Sequence, residues 1–287
     1  MSTNLERSIK LNCRSEYHPL RAVILCEPRH MSIDEIINET QKHYAEENID
    51  KALAVNQHAV FVQALRTFGI EVMLLPHVEQ YPEQVFTRDI GFTLGHKLFV
   101  SYMGSGIRQG EDNILIEWLR EHDYPFHNLN QDSIEGGDIL IDRETVYVGV
   151  SGRTSTNAVL KLKQLLPEFE VFPIPIRRSY LHLDCVFNVL SPTEALVFSP
   201  ALRRKELALL SERYELIEVG KSEQFKMGTN VLSVGRKKVF SLPVNVEVNK
   251  QLRQRGYEVI EIDISEIIKS GGSFRCCTLP LLRGEDY

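Results

Sequence analysis

Apolar residues in this chain come in short runs broken by turn residues, and between the runs lie stretches where they recur every three or four positions. From 154 to 166 the residues Ala158, Leu162, Leu165 and Leu166 fall at helical spacing behind two N-cap candidates, Thr154 and Ser155, and Pro167 stops the run. Short β-rich segments at 138–141, 145–150 and 169–174 flank that helix, so the unit reads strand, tight turn, strand, helix, strand. Similar helical patterns fit 113–121, 203–212 and 244–255, the last ending at Gly256 as a C-terminal glycine should. Another helix is expected near 50–68, between apolar runs at 22–26 and 70–74.

These units repeat. Phe169-Glu170-Val171, Tyr214-Glu215-Leu216 and Tyr257-Glu258-Val259 each follow an amphipathic stretch, with Ile70-Glu71-Val72 as a fourth instance. A second set of markers, Asp89, Asp138, Asp184, Asn230 and Cys276, opens β-rich segments at separations of 49, 46, 46 and 46 residues. One such unit cannot bury its apolar faces alone, so five are expected to pack around an axis. The fifth is split: 276–282 comes from the end of the chain, and 22–26, the helix near 50–68 and 70–74 come from its beginning. The expectation is an α/β chain with residues 1–287 in one domain, its two ends completing one unit, without linker or low-complexity segment.

Composition narrows the function classes. With 33 Lys plus Arg against 39 Asp plus Glu the formal net charge is −6, which weakens a nucleic-acid or membrane-surface reading. No apolar run approaches the roughly 20 residues of a membrane-spanning helix. Residues 1–10 are polar and mixed in charge, unlike a secretory leader, so a cytoplasmic protein is expected, with neither nucleic acid nor membrane as partner. The five cysteines, Cys13, Cys26, Cys185, Cys276 and Cys277, have no C-x-x-C pair and no zinc-like spacing, which argues against a disulfide framework.

Equivalent positions in five units converge on the axis, so Asp89, Asp138, Asp184, Asn230 and Cys276 should meet there. Buried charges cost several kcal/mol unless paired, and a cationic ligand would repair such a ring. In an extended Leu-His-Leu-Asp-Cys segment, His182 and Asp184 face one side and Cys185 the other. Cys276 and Cys277 likewise diverge, leaving one of them for the site. Blander readings stand beside these: Glu135-Gly136-Gly137-Asp138 and Gly271-Gly272 read equally as plain turns, and the vicinal cysteines as a redox pair or part of a metal site. Cys13, Cys26 and Cys185 read as structural.

Phe86-Thr87-Arg88-Asp89, Glu135-Gly136-Gly137-Asp138, Gly152-Arg153-Thr154, His182-Leu183-Asp184 and Gly271-Gly272-x-x-Arg275-Cys276-x-Thr278 together resemble the guanidine-modifying enzymes of the pentein superfamily. These are the dimethylarginine dimethylaminohydrolases, arginine deiminases and amidinotransferases. The resemblance implies a five-bladed β/α propeller. It implies Cys276 as nucleophile, His182 as general acid/base, Asp89 and Asp184 as the carboxylates that grip a guanidinium, and Glu135 as the acid that orients His182 or substrate. Arg153 corresponds to a residue that binds the α-carboxylate of an arginine-like substrate, Arg108 to a second such clamp, and Asp138 is counted with the substrate-binding residues. Neither metal nor organic cofactor is implied, and the partner is a small guanidino compound. Relatives are often homodimers, though no exposed stripe in this sequence demands it. Residues 12–20 fall where related enzymes place a mobile loop over the pocket.

In size the chain is similar to the dimethylarginine hydrolases, with no room for the helical insertion of the deiminases. The expected reaction is hydrolysis of the guanidine C–N bond through a covalent Cys276 intermediate, giving citrulline and an amine or ammonia. Amidino transfer to an amine acceptor is the alternative. A non-catalytic binding module on the same fold and a cysteine peptidase fit less well, the first because His182 and Cys276 are both present, the second because paired Asp motifs suit a small cation.

Overall fold

In the computed structural model, which describes residues 9–285, five three-stranded sheets follow one another round an axis. The chain begins the first with β1 (Leu20–Cys26), passes through α1 (Glu39–Tyr44) and α2 (Lys51–Thr67), and adds β2 (Glu71–Leu75). The second contains α3 (Thr87–Ile90), β3 (Gly91–Leu94), β4 (Lys97–Val100), α4 (Glu111–Glu121) and β5 (Phe126–Asn128). The third runs β6 (Ile139–Asp142), β7 (Thr145–Val150), α5 (Thr156–Leu165), β8 (Glu170–Pro175). The fourth runs β9 (Phe187–Val189), β10 (Glu194–Val197), α6 (Arg204–Ser211), β11 (Glu215–Glu218). After α7 (Lys221–Phe225) the fifth holds β12 (Leu232–Gly235), β13 (Lys238–Ser241), α8 (Val246–Gln254) and β14 (Glu258–Glu261). Then α9 (Ser265–Ile268) leads to β15 (Leu279–Arg283), which returns to the first sheet.

Each sheet grades from dry to wet. Inner strands β3, β6, β9 and β12 are buried throughout, whereas outer strands such as β5, β11 and β14 alternate or lie exposed. The inner strand pairs antiparallel to the central one through a tight turn, and the central strand pairs parallel to the outer one through a helix, as a βαβ connection requires. Helix starts follow their caps: Asp50 accepts from the Leu53 N–H at 3.0 Å and Ser155 from the Ala158 N–H at 3.1 Å. The first sheet closes the ring as expected, with β1 antiparallel to β15 and parallel to β2.

Two local expectations are corrected. The repeat markers do not open strands. Asp89, Asp138 and Asn230 close helical turns, their N–H groups bonding to the carbonyls of Phe86, Glu135 and Met227 at 3.1, 3.0 and 2.9 Å, and Asp184 lies within the 3-10 turn Leu183–Cys185. Nor do residues 12–20 form a lid. Asn12 exchanges hydrogen bonds with Leu281 and Arg283, the Tyr17 hydroxyl donates to buried Asp142 at 2.6 Å, and Tyr17 is 1% exposed. This segment is core, because its side chains meet partners from three sheets. Most of the polar stretch 1–10 lies outside the described residues, and among those described no helix is long and apolar enough to cross a membrane.

Candidate active site

The turns that precede the inner strands aim polar side chains at the axis. His182, ahead of β9, meets Glu135, ahead of β6: Nε2 lies 2.6 Å from Glu135 Oε2, with both side chains fully buried. On the other side of the ring, Nδ1 faces Asp89 Oδ1 at 3.6 Å, and neither atom has a hydrogen-bond partner. Gly137 makes this approach feasible, since a Cβ there would fall 2.6 Å from His182 Nδ1 and 2.8 Å from Asp89 Oδ1. Burial alone would lower the imidazole, but Asp89 and the bonded Glu135 hold it up to about 10, so His182 is an imidazolium at neutral pH. Burial alone would raise Glu135, but its bond to His182 and the nearby arginines take it well below the usual carboxylate range.

Asp184 is shared. Its Oδ2 accepts from Arg275 Nη1 at 2.7 Å and lies 3.5 Å from Cys276 Sγ. The Cys276 N–H donates to Asn230 Oδ1 at 3.2 Å, which ties this cysteine to the neighbouring unit. The neighbouring Cys185 thiol, burial, and the charges of Asp184 and Asp89 raise the Cys276 thiol well above the ordinary range, so it is protonated in this arrangement. A Cβ at Gly272 would fall 2.4 Å from the Phe86 ring and 3.0 Å from Cys276 Cβ, so a side chain there would displace Phe86 and press on Cys276.

Asp89 also holds a guanidinium of the protein, with Arg108 Nη1 donating to its Oδ2 at 2.6 Å. Between these groups lies a cavity of only about 10 Å³, bordered by Phe86, Asp89, Arg108, Arg153, Leu181 and Cys276, close to the smallest that holds one water molecule. It adjoins a cavity of about 340 Å³ that Arg153 borders too. Arg153 donates from Nη2 to the Ile37 carbonyl at 3.1 Å and lies 3.6 Å from Glu135, so it spans the rim and the interior.

Residues 27–283 match the family described as N,N dimethylarginine dimethylhydrolase, eukaryotic. The chain belongs to this family. It is thereby a guanidine-modifying enzyme of the pentein superfamily, and its ring of five sheets is the five-bladed β/α propeller. Over 276 residues it is 52% identical to the uncharacterized protein YkgA of Bacillus subtilis, covering 96% of each chain. It is 28% identical over 235 residues to the N(G),N(G)-dimethylarginine dimethylaminohydrolase of Mycobacterium tuberculosis, covering 81% of this chain and 77% of that one. The N-terminal domain of ArgZ, a cyanobacterial arginine dihydrolase solved with its product, superposes with a TM-score of 0.84 at 25% identity, covering 91% of this chain and 97% of that one. Another form of that domain, covalently bonded to a reaction intermediate, superposes equally at 0.84.

Set against this family, Cys276, Asp89 and Arg153 border the cleft, and His182, Glu135 and Asp184 stand behind them through their contacts with Asp89, His182 and Cys276. Asp138 does not reach it: its carboxylate accepts from Ser151 Oγ at 2.6 Å and the Leu183 N–H at 2.8 Å, holding the His182 turn from behind. Arg108 borders the cleft but is no open clamp, because Glu111 and Asp89 engage its guanidinium and it is 2% exposed. The ring needs no cationic ligand for compensation, since Arg108 and Arg275 supply the charge from within. His182 and Asp184 do not share a strand face, because the chain there is a 3-10 turn, and Cys185 does not point away from the site. Asp89, Glu135 and His182 have potential ligand atoms within 4.8 Å of one another, but Arg108 engages Asp89 and His182 and Glu135 engage each other, so all three groups already have partners.

Three participants escaped sequence reasoning. Arg275 stands inside a recognised motif, yet nothing local marks its bond to Asp184. Glu83 accepts from Gln41 Nε2 and Ser270 Oγ, each at 2.7 Å, and burial, against the pull of Arg108, pushes it up to about 7. Cys185 is the third. Their partners are distant in sequence, so no periodicity reveals them.

Proposed function

We propose that this enzyme hydrolyses the guanidine C–N bond of arginine or an N-methylated arginine through a thiouronium on Cys276, releasing citrulline and ammonia or an amine. The observation that carries the reading is the meeting of Cys276 and Asp184 with the His182–Glu135 pair and Asp89 round one small cleft. Support comes from relatives: one is named a dimethylarginine dimethylaminohydrolase, another an arginine dihydrolase solved with a covalent intermediate.

A guanidinium entering the cleft competes with Arg108 for Asp89 and with Arg275 for Asp184. Its planar fork matches a carboxylate, and its charge beside Sγ favours the thiolate. Asp184 Oδ2, 3.5 Å from Sγ, is placed to take the thiol proton. The thiolate adds to the guanidine carbon, and the His182 imidazolium gives its proton to the departing nitrogen. Neutral His182 then takes a proton from water as the water oxygen adds to the thiouronium carbon, and collapse returns the thiolate and the ureido product. Glu135 steadies the imidazolium between these steps.

The test is mass spectrometry of products from arginine, monomethylarginine, asymmetric dimethylarginine and agmatine, with and without an added amine. Citrulline from one of the first three, reduced by at least ~1000-fold in Cys276→Ala, is expected. Turnover that survives Cys276→Ala would rule out this nucleophile, and a new guanidino product only when amine is present would mean transfer.

A further inference from the structure

Cys276 has a thiol neighbour. Cys185 Sγ lies 3.5 Å from Asp184 Oδ1, and Cys276 Sγ lies 3.5 Å from Asp184 Oδ2, so one carboxylate holds both sulfurs. Cys13 and Cys26 instead sit 3.7 Å from the carbonyls of Pro280 and Glu27. Cys277 follows Cys276 inside a helical turn whose N–H bonds to the Ser273 carbonyl at 3.0 Å, which directs successive side chains apart. Both members of the Cys185–Cys276 pair border cavities: Cys185 one of about 200 Å³ that shares Asn38, Leu181 and Gly271 with the cleft, and Cys276 the cleft itself. A molecule the size of hydrogen peroxide fits the larger of these cavities, which adjoins the cleft.

We propose that Cys185 and Cys276 form an oxidisable dithiol, in which Cys185 resolves a sulfenic acid made on Cys276 by a hydroperoxide. The Cys276 thiol passes its proton to Asp184, 3.5 Å away, as its sulfur attacks the terminal peroxide oxygen, forming an S–O bond and breaking O–O, and the released alkoxide or hydroxide takes up that proton from Asp184. Cys185 sulfur then attacks the sulfenyl sulfur, forming S–S and breaking S–O, while its own proton leaves with the hydroxyl as water by way of Asp184. In sum two thiols and one hydroperoxide give a disulfide, an alcohol or water, and a second water. The bond protects Cys276 from irreversible oxidation to the sulfinic acid. It also removes the nucleophile until a dithiol restores it, a consequence that rests on the role of Cys276 proposed above.

The experiment exposes the whole protein to hydrogen peroxide, alkylates the remaining thiols under denaturing conditions, and maps peptides without reduction. The expected result is an intact mass lower by two hydrogen atoms and a peptide pair joining Cys185 to Cys276, both reversed by dithiothreitol. Cys277→Ser should keep the link. Cys185→Ser should lose it and carry Cys276 on to sulfinic or sulfonic acid that dithiothreitol does not recover. Wild-type protein with Cys185 fully alkylated after oxidation, or with Cys276 joined to Cys277, would overturn the proposal whether or not the variants fold. The map reads the bond without any substrate, so failure here is separate from failure of the hydrolase reading.

Discussion

Glu135 and His182 are a fully buried ion pair, and their titration links the site to stability. His182 is raised above its ordinary 6.5, so its contribution is present in full below that pH and is lost as pH rises through about 10. Glu135 is lowered, so its contribution is present above its ordinary 4.5 and is lost in strong acid. Glu135→Gln should therefore cost about 3–5 kcal/mol near pH 6, and less by pH 10, in urea unfolding. Equal loss at both pH values would deny the charge on His182. Glu83 has the opposite sign. Its raised carboxyl, at about 7 against an ordinary 4.5, makes stability fall as pH rises between those values. Glu83→Gln keeps an acceptor for Gln41 and Ser270 and should stabilise by roughly 2–3 kcal/mol at pH 8 while changing little at pH 4. Thermal unfolding at the two pH values checks it. Asp89, Asp184 and Cys276 were legible because equivalent positions recur at fixed spacing. Arg275, Glu83 and Cys185 were not, because each acts through a partner from another unit.

At the scale of elements, most strands and helices lie within two residues of where the apolar pattern put them. The misplacements share one cause. Leu181 to Cys185 alternates like a strand, yet His182 to Cys185 closes a turn on its own backbone, as do Phe86 to Asp89 and Glu135 to Asp138, the last in keeping with its plain-turn reading. Side-chain directions inferred from a period of two fail there, although the residues still reach the axis because the turns project them inward. The segment before β1 failed for another reason: Glu16 is polar but buried, held by Arg275 at 3.1 Å, which polarity along the chain cannot disclose. Tyr17→Phe should cost about 1–3 kcal/mol by leaving buried Asp142 short of a donor. Amide exchange across residues 12–20 should be slow and unmoved by saturating guanidine product, and acceleration or protection on ligand addition would restore the lid.

At the scale of the molecule, five sheets share one ring, and the ring is sealed where β1 lies between β15 and β2. The carboxylates on its axis belong to different sheets, so the spacing of the site depends on the seal. A chain shortened to end before Leu279 loses the antiparallel partner of β1 and the hydrogen bonds to Asn12, and it should show no cooperative unfolding transition by circular dichroism. A transition like that of the full chain would mean that four complete sheets hold the ring open-ended.

The same strand order has a consequence for synthesis. Of the described strands β1 is made first, and the partner for its inner edge is made last. While everything between is being made, an apolar strand with an unpaired edge stands ready to pair with a neighbouring nascent chain. That edge needs shielding while everything from β2 to α9 is made, and termination before β15 releases a product in which β1 is still open.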